Sequence, residues 1–446
     1  MLLLLAASVA VSQPARKQAN LSRVSEGGIS NNASDTSMIG LYHLLNAIEQ
    51  HPMLAEQRAA ISAAGHRIAD KSSLANPMLM LGVQGVPVTS FSFSQEMMTG
   101  RMIGISQMFP YPGKLGAERN IAAQDTVKST FDLAEERNAL RRDVKLAYFD
   151  LYHLDRAITT NHSHADAVDN LIASTEQRLT TATATQQDVL NLQLERSDIK
   201  KQIIEDQMMV AMKRSELERA SGLPASEFNI VPHLGLPQLG FTLPELDSIA
   251  AIHRAKLAGI RSQVETYRRM SARNDLDKYP DFQVSLSYMQ RDRLAPNTPL
   301  NPMPTAMAQN DLLSASVSFD LPFLHTNRRE EATGEADAMR TMKLSQERAE
   351  KLDIHTMIET QLARLEGLRK EYELLKDEVL PAASTSLATT NANYTYNKAS
   401  ANDVLRNELA MLHREHDEFQ IEAEYNKALA EIEYETGMDL VRYTEY

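Results

Sequence analysis

Cysteine and tryptophan are both absent from the 446 residues of this chain, and aromatic residues make up only 6% of it. Without cysteine there can be no disulfide, no thiol nucleophile, no cysteine-ligated zinc and no lipid anchor on an N-terminal cysteine. The chain also has no glycine-rich phosphate loop, HExxH motif or serine nucleophile elbow, so we expect neither an enzyme nor a cofactor. Acidic residues outnumber basic ones, and the net charge of −13 argues against non-specific binding to nucleic acid.

A long apolar run is missing as well, because no stretch reaches 18 consecutive apolar residues. Any membrane span would therefore have to be built from strands. Residues 1–12, MLLLLAASVAVS, have the length of a signal-peptide core, with small residues at Ala10 and Ser12 for cleavage. We expect export, the alternative being a disordered apolar tail, and we expect residues 13–37 to be irregular.

What the chain does contain is a duplicated pattern. Leu54 aligns with Leu257, and Pro77 with Pro280, at an offset of 203 residues. Such self-similarity indicates two structural repeats. The predicted segments are a first repeat at 38–222, a linker at 223–242, a second repeat at 243–437 and a tail at 438–446.

Each repeat contains a pair of segments in which apolar and polar residues alternate. Segment 281–289 alternates polar residues with Phe282, Val284, Leu286 and Tyr288. Strict alternation predicts strands with one apolar face, and about 9–11 residues is the length that a tilted strand needs to cross a bilayer. The alternative is a soluble, half-buried sheet. The predicted strand pairs occupy 77–110 and 280–322.

Helical patterns surround each strand pair. Helices are predicted before the pairs at 39–74 and 243–277, and long helical hairpins after them at 113–221 and 325–437. In the hairpins apolar residues recur at steps of 4 and 3, which indicates sustained coiled-coil seams. Pro381 interrupts one outgoing helix and should bend it. The seam predicted on the return helix of the first repeat includes Leu190, Leu194, Ile204 and Met208.

The two hairpins end in turns of related sequence. LTTATATQQDVL at 179–190 matches YTYNKASANDVL at 394–405 at an offset of 215.

Four strands per chain are too few to close a barrel, and unpaired strand edges are prohibitive in lipid. Closure of a membrane barrel would therefore require several chains, and three would supply twelve strands and twelve long helical arms.

This order of elements resembles the TolC family of outer-membrane efflux proteins. IGISQMFPYPGKLGAERNIAA (103–123) and VSFDLPFLHTNRREEATGEA (317–336) resemble that family's strand-to-helix junctions. The turns resemble its pattern aromatic-x-x-Gly-x-x-Ser-x-x-Asp-Val-Leu, and the loop FSFSQEMMTG (91–100) resembles its heavy-metal efflux branch. The junction residues are Pro110, Pro112, Gly113 and Pro322.

The resemblance implies an α+β membrane protein in the outer membrane of a Gram-negative bacterium, with a large periplasmic part. It implies a homotrimer whose 12-stranded β-barrel, four strands from each chain, sits in outer-membrane lipid and continues as a long α-helical coiled-coil barrel. It further implies that a periplasmic adaptor protein and an inner-membrane pump of the RND type dock at the helical tip.

The resemblance also assigns roles to residues of the two turns. Asp403 matches the aspartate of the family's constricted entrance, and threefold symmetry would make rings of Asp403 and Asp188 that select cations. The alternative role for both is helix N-capping. Arg406 lies one turn after Asp403 and is placed to pair with it in a closed state. The expected adaptor-docking residues are Thr181, Ala182, Thr185, Tyr394, Asn397 and Ser400.

The glycine position of the turns and the histidine pairs of the helices allow two further predictions. The family's glycine falls at Ala182 and Asn397, and because alanine does not readily adopt a left-handed backbone, we expect the first turn to be shaped differently. The pair His413 and His416 and the sequence His162-Ser163-His164 invite a metal reading. His416 occupies a seam position and His413 flanks the seam, which favours core packing, so we expect no metal site.

The leading hypothesis is a passive exit duct of a tripartite efflux pump. It would carry small molecules or metal cations from periplasm to exterior and be gated at the periplasmic helical tip. One alternative is the exit duct of a type I protein-secretion system. An alternative of a different class is a soluble periplasmic coiled-coil scaffold.

Overall fold

The computed structural model describes residues 40–224, 233–324 and 326–441. The predicted signal peptide at 1–12 and the irregular segment at 13–37 lie outside the described residues, as do parts of the predicted linker and tail. The described chain is mostly helical, with one antiparallel sheet of four strands. This confirms the predicted α+β composition.

Nine α-helices, four strands and one interruption give the described residues their order. The first repeat contains α1 (Leu41–Ala47), α2 (Pro52–Ser72), β1 (Met78–Gln84), β2 (Gly100–Phe109), α3 (Lys114–Thr180) and α4 (Gln186–Ser221). The second contains α5 (Leu243–His253), α6 (Ala255–Asp275), β3 (Phe282–Gln290), β4 (Leu312–Phe319), α7 (Thr326–Leu374), α8 (Leu380–Thr395) and α9 (Ala401–Thr436). Among these described residues, no helix combines the length and the apolar character needed to cross a bilayer.

The helix predicted before each strand pair is broken in two in the structure. In the first repeat the break falls at His51, because the following Pro52 disfavours a helical backbone at the residue before it. In the second repeat it falls at Arg254, which is extended at φ −65° and ψ 110°. The buried guanidinium of Arg254 pairs with Glu135 on α3 at 3.1 Å, so the break itself is tied to α3. Beyond it α6 packs along α3, whereas α5 packs against α7 and α9.

The four strands pair in chain order, each antiparallel to the next. The β2–β3 pairing joins the two repeats, with Ile105 opposite Leu286. Because side chains alternate between faces, the aliphatic residues of all four strands, except Leu312, share one face. That face is solvent-exposed in the described chain, with exposed fractions of at least 46% at Leu79, Leu81, Ile103, Ile105, Leu286 and Leu313.

The long helices pack side by side, with α3 in contact with α4 on one flank and α9 on the other. Near the turns the shared core contains Val168 and Ile172 of α3, Leu192 of α4 and Val404 of α9. The contact between α3 and α9 holds the hairpin of the first repeat against the hairpin of the second.

The seam predicted on α4 is wrong for the described chain. Leu190, Leu194, Ile204 and Met208 are 50%, 64%, 58% and 58% exposed. The buried face of α4 is instead the adjacent one. It includes Val189, Leu192, Ile199 and Ile203. The helix therefore has two apolar faces, and only one of them packs against α3.

The interruption expected near Pro381 takes the form of a π-helical turn, Leu375–Val379, immediately before α8. Ile358, which precedes this turn, aligns with Val144 at an offset of 214, whereas Tyr394 aligns with Leu179 at 215. The second outgoing helix therefore has one extra residue. A π turn accommodates it, because such a bulge adds one residue to a single turn of an α-helix.

Candidate functional site at the helical tip

The two hairpin turns have the same backbone conformation, contrary to the expectation that the first would differ. Ala182 and Asn397 both have left-handed backbones, with φ of 55° and 60°. In each turn two amide groups donate back to the end of the preceding helix: Ala182 to Leu179 (3.1 Å) and Thr183 to Arg178 (2.9 Å), and Asn397 to Tyr394 (3.0 Å) and Lys398 to Asn393 (2.8 Å). These hydrogen bonds form a Schellman motif, which imposes the left-handed residue whatever its side chain.

The helix that follows each turn begins with a capping box. Thr185 caps α4 and Ser400 caps α9, and each hydroxyl accepts from the backbone N–H of the aspartate three residues on, at 3.2 Å. The carboxylates of Asp188 and Asp403 accept in return from the cap residue's N–H and hydroxyl. Hydrogen bonds from Ser400 lower the pKa of Asp403. The helix-capping role that was the alternative for Asp188 and Asp403 is therefore present, with each aspartate and its cap residue bonding to one another.

The predicted pairing of Arg406 with Asp403 is not made within the described residues. Oδ2 of Asp403 turns toward Ser400 instead, at 2.8 Å from its hydroxyl, because the capping box fixes the carboxylate. Arg406 is exposed and contributes only a weaker electrostatic lowering of the pKa of Asp403. In this chain Arg406 therefore does not lock Asp403.

The expected docking residues divide into exposed and buried positions. Tyr394 is only 9% exposed, so its side chain does not present itself to a partner. Its hydroxyl lies 2.9 Å from Oγ1 of Thr175 and 3.1 Å from Oγ of Ser174, and the guanidinium of Arg178 lies 3.7 Å from the ring centroid. The exposed residues are Thr181, Ala182, Thr185, Asn397 and Ser400.

Two residues that were not predicted connect the turns. Arg178 of the first repeat stacks on Tyr394 of the second and donates a hydrogen bond to its carbonyl. Asn402 donates to Oδ1 of Asp188 at 2.7 Å. The signal that could have indicated Asn402 is its position beside the repeated Asp-Val-Leu, but the partner lies 214 residues away in the sequence. Together these contacts make one joined tip from two hairpins.

Above the turns, a histidine clamps the two repeats together. His164 of α3 lies with Nδ1 2.8 Å from Glu408 and Nε2 3.1 Å from Glu415, both on α9. Burial opposes the charged imidazole, but the two carboxylates outweigh it and raise the pKa of His164 to about 9. His164 is therefore a charged residue at neutral pH.

The other histidines singled out from the sequence have different surroundings. His162 and His413 are exposed. Burial and the nearby His153 lower the pKa of His416. Within the described residues, no group of three or more histidine, aspartate or glutamate side chains has an arrangement that could hold a metal ion.

The strand-to-helix junctions differ between the repeats. At the first, Gly113 adopts a φ of 104° and precedes Lys114, whose side chain is buried. The ammonium of Lys114 lies 2.9 Å from Asp281 and 3.0 Å from Asp277, so the first junction is tied to the second repeat. Pro110 and Pro112 flank this contact. At the second junction Pro322 begins a short 3₁₀ turn, and Phe323 within this turn is 69% exposed.

Comparisons with known proteins identify solved structures that have a similar fold. No family sequence model matches the chain, and no match is found among curated protein sequences. Solved structures do match. The outer membrane protein VceC of Vibrio cholerae superposes with a TM-score of 0.72 at 16% identity, over 90% of this chain and 97% of that one. The CmeC outer membrane channel of Campylobacter jejuni gives 0.70 at 11% identity, over 91% and 87%.

This chain has the fold of outer-membrane channels. The open-state MtrE outer membrane channel of Neisseria gonorrhoeae matches as well, with a TM-score of 0.68 at 14% identity, over 98% of this chain and 100% of that one. The resemblance to the TolC family seen in the sequence is thus confirmed at the level of the fold. Because the matches span nearly the whole of both chains, the helical tip is part of the shared fold.

Proposed function

We propose that the protein is the outer-membrane exit duct of a tripartite efflux pump. The observation that carries the proposal is a fold shared with outer-membrane channels over about nine-tenths of the chain. The exposed aliphatic face of the sheet supports it, because such a face is stable against lipid and unfavourable against water. The duct is passive and is not an enzyme, and its cargo is small molecules or metal cations.

The working form in this proposal is a homotrimer. The described sheet has four strands, and the outer edges of β1 and β4 pair with no strand of the described chain. Three copies joined edge to edge close a 12-stranded barrel and leave no edge in lipid. The long helices of the three copies then continue the barrel as a periplasmic tube.

The tip is the gate and the docking end in this proposal. Threefold symmetry places three copies of Asp403 around the axis, and a ring of carboxylates favours cations. Exposed turn residues such as Thr181 and Asn397 receive a periplasmic adaptor, and an inner-membrane pump of the RND type supplies the energy. Opening splays the hairpin of the second repeat near Tyr394–Leu405, as a rigid-body movement of packed helices.

Fractionation and electrophysiology test the proposal separately. The protein should be recovered in outer membranes and released only by detergent, and recovery from the soluble fraction without detergent would refute the channel. In reconstituted trimers, Asp403→Ala should reduce cation preference, whereas Asp417→Ala on the same helix, four turns away, should not. Equal cation preference in both variants would remove Asp403 from the gate.

A further inference from the structure

The segment that joins the two repeats lies against α9 without regular secondary structure. In residues 233–240, here called the strap, Leu234 is fully buried in a core that it shares with residues of α3 and α9. The carbonyl of Gly235 accepts a hydrogen bond from the side chain of Asn426 on α9, at 3.0 Å. Isolated side-chain contacts, rather than a helix or a sheet, therefore hold the strap in place.

Next to the strap lies the side chain of Glu422, which is completely buried. The hydroxyls of Tyr152 on α3 and Tyr372 on α7 donate to its carboxylate, the second at 3.1 Å. Among the described residues, the one basic group within ion-pair distance is His233 of the strap, whose Nδ1 lies 3.6 Å from Oε1. His233 is 62% exposed, so water screens this pairing. Within this part of the chain, Glu422 is therefore a buried acid that has no buried cation as its partner.

The remaining surroundings of Glu422 also disfavour its charge. The titratable groups that face it are Tyr152, Tyr372, His233 and Glu418. Glu418 lies one turn earlier on α9, is itself buried, and pairs with Lys376 of the π turn. Burial, with a smaller contribution from Glu418, outweighs the two tyrosines and the histidine and raises the pKa of Glu422. The folded chain thus favours the protonated acid.

A second polar group beside Glu422 suits the protonated acid. Oδ1 of Asn426, one turn further along α9, is buried and accepts no hydrogen bond from the described residues. Residues four apart on a helix are neighbours, and a protonated carboxyl has an O–H to donate. A carboxylate at the same position would add a buried negative charge beside an unpaired acceptor. The neighbouring groups therefore match the neutral form of Glu422.

We propose that the strap is a pH-sensitive fastening, closed over Glu422 while this acid is protonated and released when it ionises. A buried carboxylate without a buried cation gains stability by reaching water. The helices α3, α7 and α9 around it are held by long packed seams, whereas the strap is held by isolated contacts. Release of the strap hydrates the carboxylate without parting a helical seam. The segment between the repeats thus responds to pH through a single acid.

The direction and slope of the response follow from proton linkage. With the strap closed, the pKa of Glu422 is raised, and after release it returns to the ordinary value of about 4.5. The closed strap therefore has its full stability below about pH 4.5 and loses it as the pH rises toward the raised pKa. Between these two pKa values the ratio of released to closed strap should rise up to about tenfold for each pH unit, and above them it should stay constant.

A cysteine placed at a buried strap position measures the released fraction, because the chain has no native cysteine. In detergent-extracted Leu234→Cys, the rate of reaction with an aromatic disulfide reagent is divided by that of free cysteine, from about pH 4 to about pH 8. This relative rate should rise with pH. Adding Glu422→Gln, which is neutral at every pH, should abolish the rise. The matched control Glu418→Gln, at a buried acid whose partner lies outside the strap, should retain it.

Two further readouts distinguish release of the strap from a general loosening of the fold. Ile260→Cys places a thiol in the buried face of α6, and its relative rate should not follow the same rise. Amide hydrogen exchange of residues 233–240, compared between the native chain and Glu422→Gln at each pH, gives the answer without a reporter if Leu234→Cys does not fold.

Three results would overturn the proposal: a rise that persists in Glu422→Gln, an absence of any rise with Glu422 in place, or an equal rise at Ile260→Cys. Every group involved belongs to one chain. These results therefore leave the proposed exit duct standing, and the loss of the duct in electrophysiology would leave the strap standing.

Discussion

The His164 clamp yields a prediction whose sign and size follow from the geometry. Glu408 and Glu415 raise the pKa of His164 to about 9, well above the value of about 6.5 expected in the unfolded chain. A raised pKa means that the clamp contributes its full stability below about pH 6.5 and loses it as the pH rises through about 9. The seam between α3 and α9 should therefore weaken in mildly alkaline solution.

The pKa shift of His164 also sets an upper limit on the free energy that the clamp contributes to stability. A tenfold change in proton affinity corresponds to about 1.4 kcal/mol, so the clamp contributes at most about 3 kcal/mol. Glu415 is 31% exposed, and solvent screening of that partner reduces the expected contribution to about 1–2 kcal/mol. Replacing a glutamate by neutral glutamine should remove most of this stabilising free energy. Glu408→Gln should therefore lower the pKa of His164 substantially.

Hydrogen–deuterium exchange at the imidazole C2 position, followed by mass spectrometry, measures the pKa of each histidine in the folded protein. His164 should titrate near pH 9, and His416 should shift in the opposite direction, below its ordinary value, because burial and His153 disfavour its charge. Thermal melting should show a loss of stability near pH 9 that is absent in His164→Gln. A His164 pKa at or below 6.5, or the same alkaline loss in His164→Gln, would refute the reasoning.

Three further substitutions have expected outcomes. Ala182→Gly should stabilise the first hairpin by about 0.5–1 kcal/mol, because glycine adopts a φ of 55° without steric cost; Ala184→Gly should not, and thermal melting distinguishes them. Lys114→Met should destabilise the protein by about 1–3 kcal/mol in denaturant titrations, since it leaves Asp281 without an ionic partner at a partly buried site, whereas Asp277 keeps its pairing with Arg273. Thr326→Met at the corresponding position should stay within about 0.5 kcal/mol, and a smaller loss for Lys114→Met would contradict the buried pairing. Leu194→Glu should reduce the native mass from three copies to one; an unchanged mass would exclude this face of α4 from the interface.

Local patterns predicted the elements of this fold well. Period-2 alternation located all four strands, because one face of each strand must be apolar and the other polar. Heptad spacing located α3 and α9, whose seam residues are buried or half-buried. On α4 the same spacing selected the wrong face. A helix that packs on two partners has two apolar faces, and spacing alone does not say which partner belongs to the same chain.

The tip was harder to predict, for two physical reasons. Residue preferences suggested a distorted turn at Ala182, but the Schellman hydrogen bonds outweigh the cost of about 1–2 kcal/mol for a left-handed alanine. The contacts of Arg178 with Tyr394 and of His164 with Glu408 join residues more than 200 positions apart. No local spacing indicates such pairs, so they become visible only when the two hairpins are placed side by side.

The central claim is that three copies of this chain form a duct through the outer membrane. The most direct measurement is single-channel recording from the detergent-extracted protein reconstituted into a planar bilayer, together with the Asp403→Ala variant of the proposed gate. The account predicts discrete, cation-preferring conductance steps in the native protein and steps with reduced cation preference in the variant. Protein that inserts into the bilayer but gives no conductance steps in either form would contradict it.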